Sequence, residues 1–332
     1  MGERWAEVGE RGTYWGVYFV AAVNRLLGRT VGRIVLTPAA IYFYLTGGAQ
    51  RRASRDYLMR AWRAGLLRRR PGLIDGFRHF LTFSWAALDK LVAWSGGIKR
   101  EDVDGAGDGA SEGALGEARR SGRGALILTA HLGNPEVIRA IASTAGKFRI
   151  NVLVHTGHAE MFNRVVQRFA PDSPVRLVQV SDIDLAMAMR LSAAVERGEW
   201  IVMTGDRVAV KATGSSSVPV DFLGAAAPFA TGPYILASAL RCPTFTLFCL
   251  KRGKRYTVDF EPFADPVELP RGRRDEAIRR YAQMFALRLE RALARAPFQW
   301  FNFYDYWPSR AVETQAHRAT DLSEDRTVRP RL

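Results

Sequence analysis

Cysteine is scarce in this chain of 332 residues, which has only Cys242 and Cys249. Both lie in the apolar run CPTFTLFC, and if that run is a β-strand their odd separation places them on opposite faces. We therefore expect no disulfide between them, and the low cysteine content is typical of a reducing compartment. We interpret both as small buried hydrophobic side chains.

Acidic residues are few relative to basic ones. There are 33 Asp and Glu against 48 Lys and Arg, which gives a formal net charge of +15. Three partners fit this excess: nucleic acid, an anionic membrane surface or an acidic carrier protein. The sequence has no zinc-finger spacing, RNP-like aromatic motif or long basic helix. Many basic residues lie beside aromatic and aliphatic runs near the N-terminus, which favours a membrane surface over nucleic acid.

Apolar runs long enough to cross a bilayer are missing. The stretches Thr13–Val23 and Ile34–Thr46 are each shorter than the roughly 20 residues that a span needs, and Asn24 and three arginines separate them. The charged first 12 residues do not resemble a signal peptide. We expect interfacial helices that dip into one leaflet; a single tilted span and two core helices of a soluble domain are the alternatives.

The chain divides by residue pattern into four parts. Residues 1–101 have a helical pattern, broken at Pro71 and Gly72, with basic residues beside apolar ones, and form the predicted membrane-associating segment. Residues 102–123 are a loop rich in Gly, Ala and Asp with one short helix near Glu112–Arg120. Residues 124–310 alternate predicted strands with helices, one of them over AEMFNRVVQRF, and residues 311–332 are a polar tail. The alternation predicts an α/β fold with a mixed, mostly parallel sheet flanked by helices.

The predicted strands are short, apolar and rich in β-branched residues. They are ALILTA, INVLVH, VRLVQV, WIVMTG, CPTFTLFCL and YTVDFEPF. His131 follows the first of them directly, at the strand edge where α/β sheets place their ligands. Asn134 is then a predicted helix N-cap, Pro135 the first helical residue, and Glu136 part of the first turn.

A histidine placed in this way is suited to general-base catalysis. We expect the tight turn to bring the Glu136 carboxylate back to one ring nitrogen of His131, which leaves the other nitrogen free to accept a proton. No GxSxG nucleophile elbow is present, so direct attack by an acceptor is the simpler scheme. Spacing alone leaves an alternative open, in which His131 is an ordinary polar residue at a strand end and Asn-Pro-Glu is only a helix start.

The segment HLGNPE resembles the HxxxxE pattern of the lysophospholipid acyltransferase superfamily. Its Leu-Gly-Asn core is similar to the HxGNxE form of the lipid A biosynthesis (lauroyl/myristoyl) acyltransferases. Four further segments resemble that family in order along the chain: RRASRDYL, ERGEWIVMTGDR, VDFLGAAAPFATGPYILASALRCP and APFQWFNFY.

The resemblance implies roles for particular residues. His131 would be the base and Glu136 its orienting partner. Five other residues would bind substrate: Asp206, Arg207, Thr231, Gly232 and Arg164. The donor would be an acyl-carrier-protein or coenzyme A thioester, the acceptor a hydroxyl-bearing amphiphile, and no metal or other cofactor would be needed. The enzyme would lie on the cytoplasmic face of the bacterial inner membrane, peripherally or through a single anchor.

The sequence also departs from the lipid A enzymes. They have Trp where this chain has Pro135, Asp-Gln where it has Asp206 and Arg207, and a basic closing segment where it has the aromatic run Asn302–Trp307. These departures resemble a divergent branch associated with bacterial aryl-polyene and pigment lipids. Two rival interpretations remain: a glycerolipid (lysophospholipid) acyltransferase, although its Phe-Pro-Glu-Gly-type motif is missing, and a non-catalytic membrane-peripheral binding protein.

Overall fold

The computed structural model describes seven stretches of the chain, which are residues 14–94, 97–104, 109–137, 149–154, 175–179, 185–208 and 216–307. Within them the α-helices are α1 (Tyr14–Thr46), α2 (Gly48–Arg63), α3 (Leu73–Trp94), α4 (Gly109–Arg120), α5 (Leu185–Glu196), α6 (Gly232–Leu240) and α7 (Arg274–Arg295). The strands are β1 (Val103–Asp104), β2 (Ala125–Thr129), β3 (Ile150–Val154), β4 (Val175–Gln179), β5 (Trp200–Thr204), β6 (Ser217–Phe222), β7 (Ala225–Ala230), β8 (Thr244–Arg252) and β9 (Arg255–Ala264). Single 3-10 turns cover Arg100–Asp102, Pro135–Val137 and Pro297–Gln299.

The main sheet has seven strands in the order β1-β9-β8-β2-β5-β3-β4. All neighbouring pairs are parallel except the β8–β9 hairpin. The predicted mixed, mostly parallel α/β fold is therefore confirmed. All six strands expected from apolar runs are present, because short β-branched runs buried on both faces are typical of central strands.

Strand β2 lies at the centre of the sheet and every one of its residues is buried. Successive side chains of β2 point to opposite faces of the sheet and pack into two separate hydrophobic cores. Leu126 and Leu128 belong to the larger core, with α5, α6 and α7, and Ile127 belongs to the smaller one, with α3 and α4. The free cysteines divide in the same way, because Cys242 lies in the larger core and Cys249 in the smaller.

The N-terminal region is helical, as predicted. Helix α1 is kinked at Gly28, where φ is 83°, and α2 and α3 are separated at the predicted Pro71–Gly72 break. Helix α3 packs against α1 and also reaches the turns at Pro135–Val137 and Pro297–Gln299. No helix in the described ranges is both long and apolar enough to cross a membrane.

The sequence interpretation missed the antiparallel β6–β7 hairpin. Its two strands pair from Ser217↔Ala230 to Phe222↔Ala225. Strand β6 packs on α7, and Phe229 of β7 contacts the ring of Phe285 on that helix. The alanine-rich run AAAPFA has weak β propensity, and this segment was considered only for its resemblance to the family. Burial of Phe222 and Phe229 stabilises the hairpin instead. The helix predicted over AEMFNRVVQRF and the polar tail 311–332 lie outside the described residues.

Candidate active site

Two adjacent parallel strands bring the central residues of the site together. In the register of β2 and β5, Thr129 faces Thr204, and the Gly205 N–H donates to the carbonyl of Thr129 at 2.8 Å. His131 and Asp206 each lie two residues beyond these partners. They therefore meet at the carboxyl edge of the sheet, the edge where ligands bind in α/β folds.

Asp206 holds His131 through two hydrogen bonds. Nδ1 of the imidazole donates to Oδ1 at 2.9 Å, and the His131 backbone N–H donates to Oδ2 at 3.0 Å. Because an ionised carboxylate only accepts, the proton lies on Nδ1 and Nε2 carries the free lone pair. The His131 side chain is 33% exposed and that of Asp206 is 1% exposed, so the imidazole is accessible and its orienting carboxylate is not.

Two aromatic residues from the segment that follows α7, Trp300 and Tyr306, hold Asp206 in place. The indole N–H of Trp300 donates to Oδ2 at 2.9 Å, and the Tyr306 hydroxyl donates to the backbone carbonyl of Asp206 at 2.8 Å. Burial by itself would raise the pKa of the Asp206 carboxyl, but His131, Arg207 and the Trp300 hydrogen bond outweigh it and lower the pKa to about 2. Asp206 is therefore an anion throughout the physiological range.

The imidazole of His131 is held in its neutral form. Burial lowers its pKa most, the positive charges of Arg207 and Lys90 lower it further, and Asp206 opposes them without reversing the shift. The guanidinium of Arg207 donates to the carbonyl of Phe301 at 2.7 Å and lies over the Tyr304 ring at 5.5 Å from its centroid. The site thus combines a neutral imidazole with nearby fixed positive charge.

Glu136 was predicted to be the carboxylate that orients His131, and this prediction was wrong about the partner. Glu136 forms an ion pair with Lys90 of α3 instead. In the orientation that satisfies both of its amide atoms, Asn134 donates to Oε2 of Glu136 at 2.8 Å. Asp206, which was expected to line the substrate site, takes the orienting position at Nδ1.

The backbone after His131 explains why Glu136 turns away. Gly133 has a φ of 68°, its N–H donates to the carbonyl of Gln299 at 2.8 Å, and the Asn134 N–H donates to the carbonyl of Cys249 at 2.9 Å. These bonds attach the turn to β8 and to the segment that follows α7. The chain then enters the Pro135–Val137 turn on the side of α3, which directs Glu136 toward Lys90.

The remaining predicted residues divide into two groups. Thr231 is the N-cap of α6 and Gly232 its first residue, and the Thr231 N–H donates to the carbonyl of Ser216 at 3.0 Å. Their substrate contacts stay a prediction. Arg164 lies outside the described residues, so its role also stays a prediction.

Sequence reasoning did not single out Trp300 and Tyr306. Trp300 lies in APFQWFNFY, which resembles the family, and Tyr306 lies in the aromatic run Asn302–Trp307, which departs from it. Their contacts with Asp206 join positions 94 and 100 residues apart, a distance over which spacing carries no signal. A dense aromatic run after a long helix was the only indication available.

The fold and the site together define an α/β protein in which a carboxylate-oriented histidine lies at the carboxyl edge of a mostly parallel sheet. The family model of bacterial lipid A biosynthesis acyltransferases matches residues 11–309, and the chain belongs to that family. The family indicates an acyltransferase, with an acyl donor and a lipid acceptor. No curated protein matches the chain significantly.

Proposed function

We propose that this acyltransferase moves a fatty acyl group from a thioester to a hydroxyl of a lipid-like acceptor, with His131 as the general base. The donor is an acyl-carrier-protein or coenzyme A thioester, and the acceptor is a lipid A-type glycolipid or a polyene or pigment lipid. The observation that carries the proposal is the 2.9 Å Nδ1–Asp206 hydrogen bond, because it leaves Nε2 of an accessible imidazole free for a proton.

The proposed reaction needs no reactant other than the acyl thioester and the acceptor. Nε2 of His131 removes the proton from the acceptor hydroxyl while the hydroxyl oxygen attacks the thioester carbonyl carbon. The tetrahedral intermediate collapses with cleavage of the carbon–sulfur bond, and the leaving thiolate takes the proton from the imidazolium. The products are the acyl ester and the free thiol, and Asp206 stabilises the imidazolium in between.

The neighbouring cations have a role in the same scheme. The carbonyl oxygen of the thioester becomes negative in the intermediate, and fixed positive charge beside it lowers the barrier. The electrostatic effect of Arg207 on His131 supports a guanidinium close enough to act in this way. Glu136 acts indirectly, since it holds Lys90 and, through Asn134, the turn that follows the base.

A comparative lipid profile tests the reaction. Cells carrying the wild-type gene, no gene or the His131→Ala variant are compared by mass spectrometry, with the variant's folding checked by circular dichroism. We expect one acylated species to disappear in both the null and the variant while its unacylated acceptor accumulates, which also identifies the acceptor. An accumulated lysophospholipid would favour the glycerolipid alternative. A wild-type profile from folded His131→Ala would favour a binding protein and reject the base.

We also propose peripheral membrane association on the cytoplasmic face of the inner membrane. Three strongly exposed apolar side chains lie where the end of α1 meets the start of α3: Leu45, Leu73 and Ile74 (67%, 80% and 78% exposed). A hydrogen bond from the Tyr44 hydroxyl to the Leu73 carbonyl joins the two helices there. The exposed arginines 68–70 flank them. Apolar tips beside arginines suit an anionic bilayer surface.

Vesicle binding tests this surface. We expect Leu73→Glu/Ile74→Glu to reduce sedimentation with vesicles of anionic phospholipid strongly. The control is Leu287→Glu, since Leu287 on α7 is also exposed (52%) but lies in a different helix. Equal loss in both variants, or none in either, would reject this docking surface.

A further inference from the structure

A second histidine, His79 on α3, is completely buried and lies outside the proposed reaction scheme. Its Nε2 is 2.8 Å from the carbonyl oxygen of Trp300, and its Nδ1 is 2.8 Å from the Ser54 hydroxyl of α2. Because a carbonyl only accepts, Nε2 carries the proton and the Ser54 hydroxyl donates to Nδ1. Burial lowers the pKa of His79 to about 4, so the ring is neutral at physiological pH.

The peptide group that His79 contacts also contacts the proposed base. The carbonyl of Trp300 accepts from His79, and the N–H of the same peptide, that of Phe301, donates to the backbone carbonyl of His131 at 2.9 Å. One rigid peptide plane is thus fixed on one side by His79 and on the other by His131.

The side chain of Trp300 provides a second connection. Its indole N–H donates to Oδ2 of Asp206, the carboxylate that orients the imidazole. The ring is itself enclosed by Tyr57, Tyr306 and Phe222, with centroids 4.9, 5.0 and 5.3 Å away. Trp300 therefore has its backbone and its side chain both committed to the His131–Asp206 pair.

We propose that His79 and Trp300 are positioning residues for the base, and that His79 acts only through Trp300. The continuous path Ser54–His79–Trp300–Asp206–His131 connects helices α2 and α3 to the catalytic edge of the sheet. The inference rests on the proposed function, since it assumes that His131 is the base. An outer layer of hydrogen bonds of this kind fixes the tautomer and direction of a catalytic ring.

The first test is Trp300→Phe, which removes the indole N–H and keeps most of the aromatic packing. We expect kcat to fall about 10- to 100-fold, with KM nearly unchanged, because the substrate-binding surface stays in place while Asp206 loses a donor. The matched control is Trp307→Phe. Trp307 is buried in the same segment, but its indole donates to the Phe222 carbonyl at 3.3 Å, away from Asp206. The control should keep kcat.

A double variant separates positioning from general destabilisation. If Trp300 acts through Asp206, adding Trp300→Phe to Asp206→Asn lowers kcat little beyond Asp206→Asn alone. If the kcat of the double variant falls by the product of the two single-variant losses, the proposal is wrong. Equal kcat in Trp300→Phe and Trp307→Phe would also overturn it. If folded His131→Ala retains wild-type turnover, the proposed function fails. If it is inactive while Trp300→Phe is fully active, only the positioning proposal fails.

The contribution of His79 is read from a pair of variants. His79→Gln keeps an N–H donor within reach of the Trp300 carbonyl, and His79→Leu keeps the bulk without a donor. We expect Gln to retain at least tenfold more kcat than Leu when both are compared as folded protein. Equal kcat in the two folded variants would remove His79 from the path. If His79→Leu does not fold, His79→Gln with the kcat loss of Trp300→Phe also removes it.

Discussion

The carboxylate of Asp206 contacts His131 at two points, the ring nitrogen Nδ1 and the backbone N–H, at 2.9 and 3.0 Å. The ring direction and the position of the strand end are therefore set by the same group. A third donor, the indole of Trp300, shares Oδ2, so three N–H groups converge on one carboxylate. Both oxygens of the carboxylate accept N–H donors, so an amide at this position would place its NH₂ group opposite at least one of them.

We expect Asp206→Asn to lower kcat about 10²- to 10⁴-fold. An amide has a single acceptor oxygen for three donors, and its NH₂ group would face one of them, so the ring loses its fixed tautomer. Steady-state kinetics with an acyl thioester and the identified acceptor measure the effect. Circular dichroism establishes that the variant is folded.

Glu136→Gln is the control for this assignment, because Glu136 pairs with Lys90 and not with Nδ1 of His131. We expect less than a tenfold loss, as an amide can still accept from the Lys90 ammonium. A loss in Glu136→Gln that equals the loss in Asp206→Asn would restore Glu136 as the orienting carboxylate.

The pH dependence of activity reports the environment of His131. Burial, Arg207 and Lys90 lower its pKa against the opposing effect of Asp206. In the proposed mechanism the neutral imidazole is the active form. Activity is therefore retained as pH falls through 6.5, the ordinary histidine value, and is lost at lower pH. A profile of kcat/KM against pH should show its acidic inflection below 6.5.

Removing one of the neighbouring positive charges should move that inflection upward. Lys90→Gln deletes a charge that lowers the pKa of His131. Lys99→Gln is the charge-matched control, since Lys99 is an exposed lysine paired with Glu101 at 3.7 Å. An inflection at or above 6.5 in the wild type, or equal shifts in both variants, would contradict this account.

The sheet could be predicted from sequence because its strands are short apolar runs that stand out against polar turns. The same reasoning placed His131 and Asp206 at strand ends, and the order of parallel strands then makes them neighbours. It could not place the β6–β7 hairpin, because β7 is alanine-rich and the hairpin is stabilised by packing on α7 rather than indicated by a local pattern.

The partner of His131 could not be predicted from local spacing. Glu136 is five residues away and Asp206 is 75, and the nearer carboxylate was the simpler choice. The decision depends on the backbone bonds of Gly133 and Asn134 to Gln299 and Cys249, which are long-range contacts. Contacts of this kind are set by the tertiary fold, so only the structure shows that Glu136 faces α3.

The buried His79 makes the fold sensitive to acid. Its pKa is about 4 in the folded chain against about 6.5 when unfolded, so the unfolded state binds the proton more tightly between these values. The stability that the neutral ring provides is present above about pH 6.5 and is lost as pH falls toward 4. The shift corresponds to about 3 kcal/mol of unfolding free energy.

Denaturant unfolding at pH 7 and pH 4.5 measures this loss. His79→Gln has no titrating ring, so its stability should fall less between the two pH values than that of the wild type. Asp206 does not interfere, because its pKa of about 2 places its own effect below this window. Equal pH dependence in the two proteins would show that His79 is not the acid-sensitive group.

Gly133 is the backbone position on which the turn after His131 depends. A Cβ there would overlap the carbonyl oxygen of Cys249, which accepts the Asn134 N–H. Gly253, in the β8–β9 turn, has a similar φ of 59° but open space where a Cβ would lie. We expect Gly253→Ala to lose only the 1–2 kcal/mol, roughly, of a left-handed non-glycine residue, with full activity.

Gly133→Ala has the same conformational cost of a left-handed alanine, and its Cβ also overlaps the carbonyl oxygen of Cys249. Relief of the overlap requires the turn to separate from β8, which weakens the Asn134–Cys249 bond and shifts His131 relative to Asp206. We therefore expect a larger loss of unfolding free energy than in Gly253→Ala, together with a loss of turnover. Denaturant unfolding and steady-state kinetics on the two variants measure both effects. If Gly133→Ala matches Gly253→Ala in stability and activity, the close approach of the turn to β8 does not position the base.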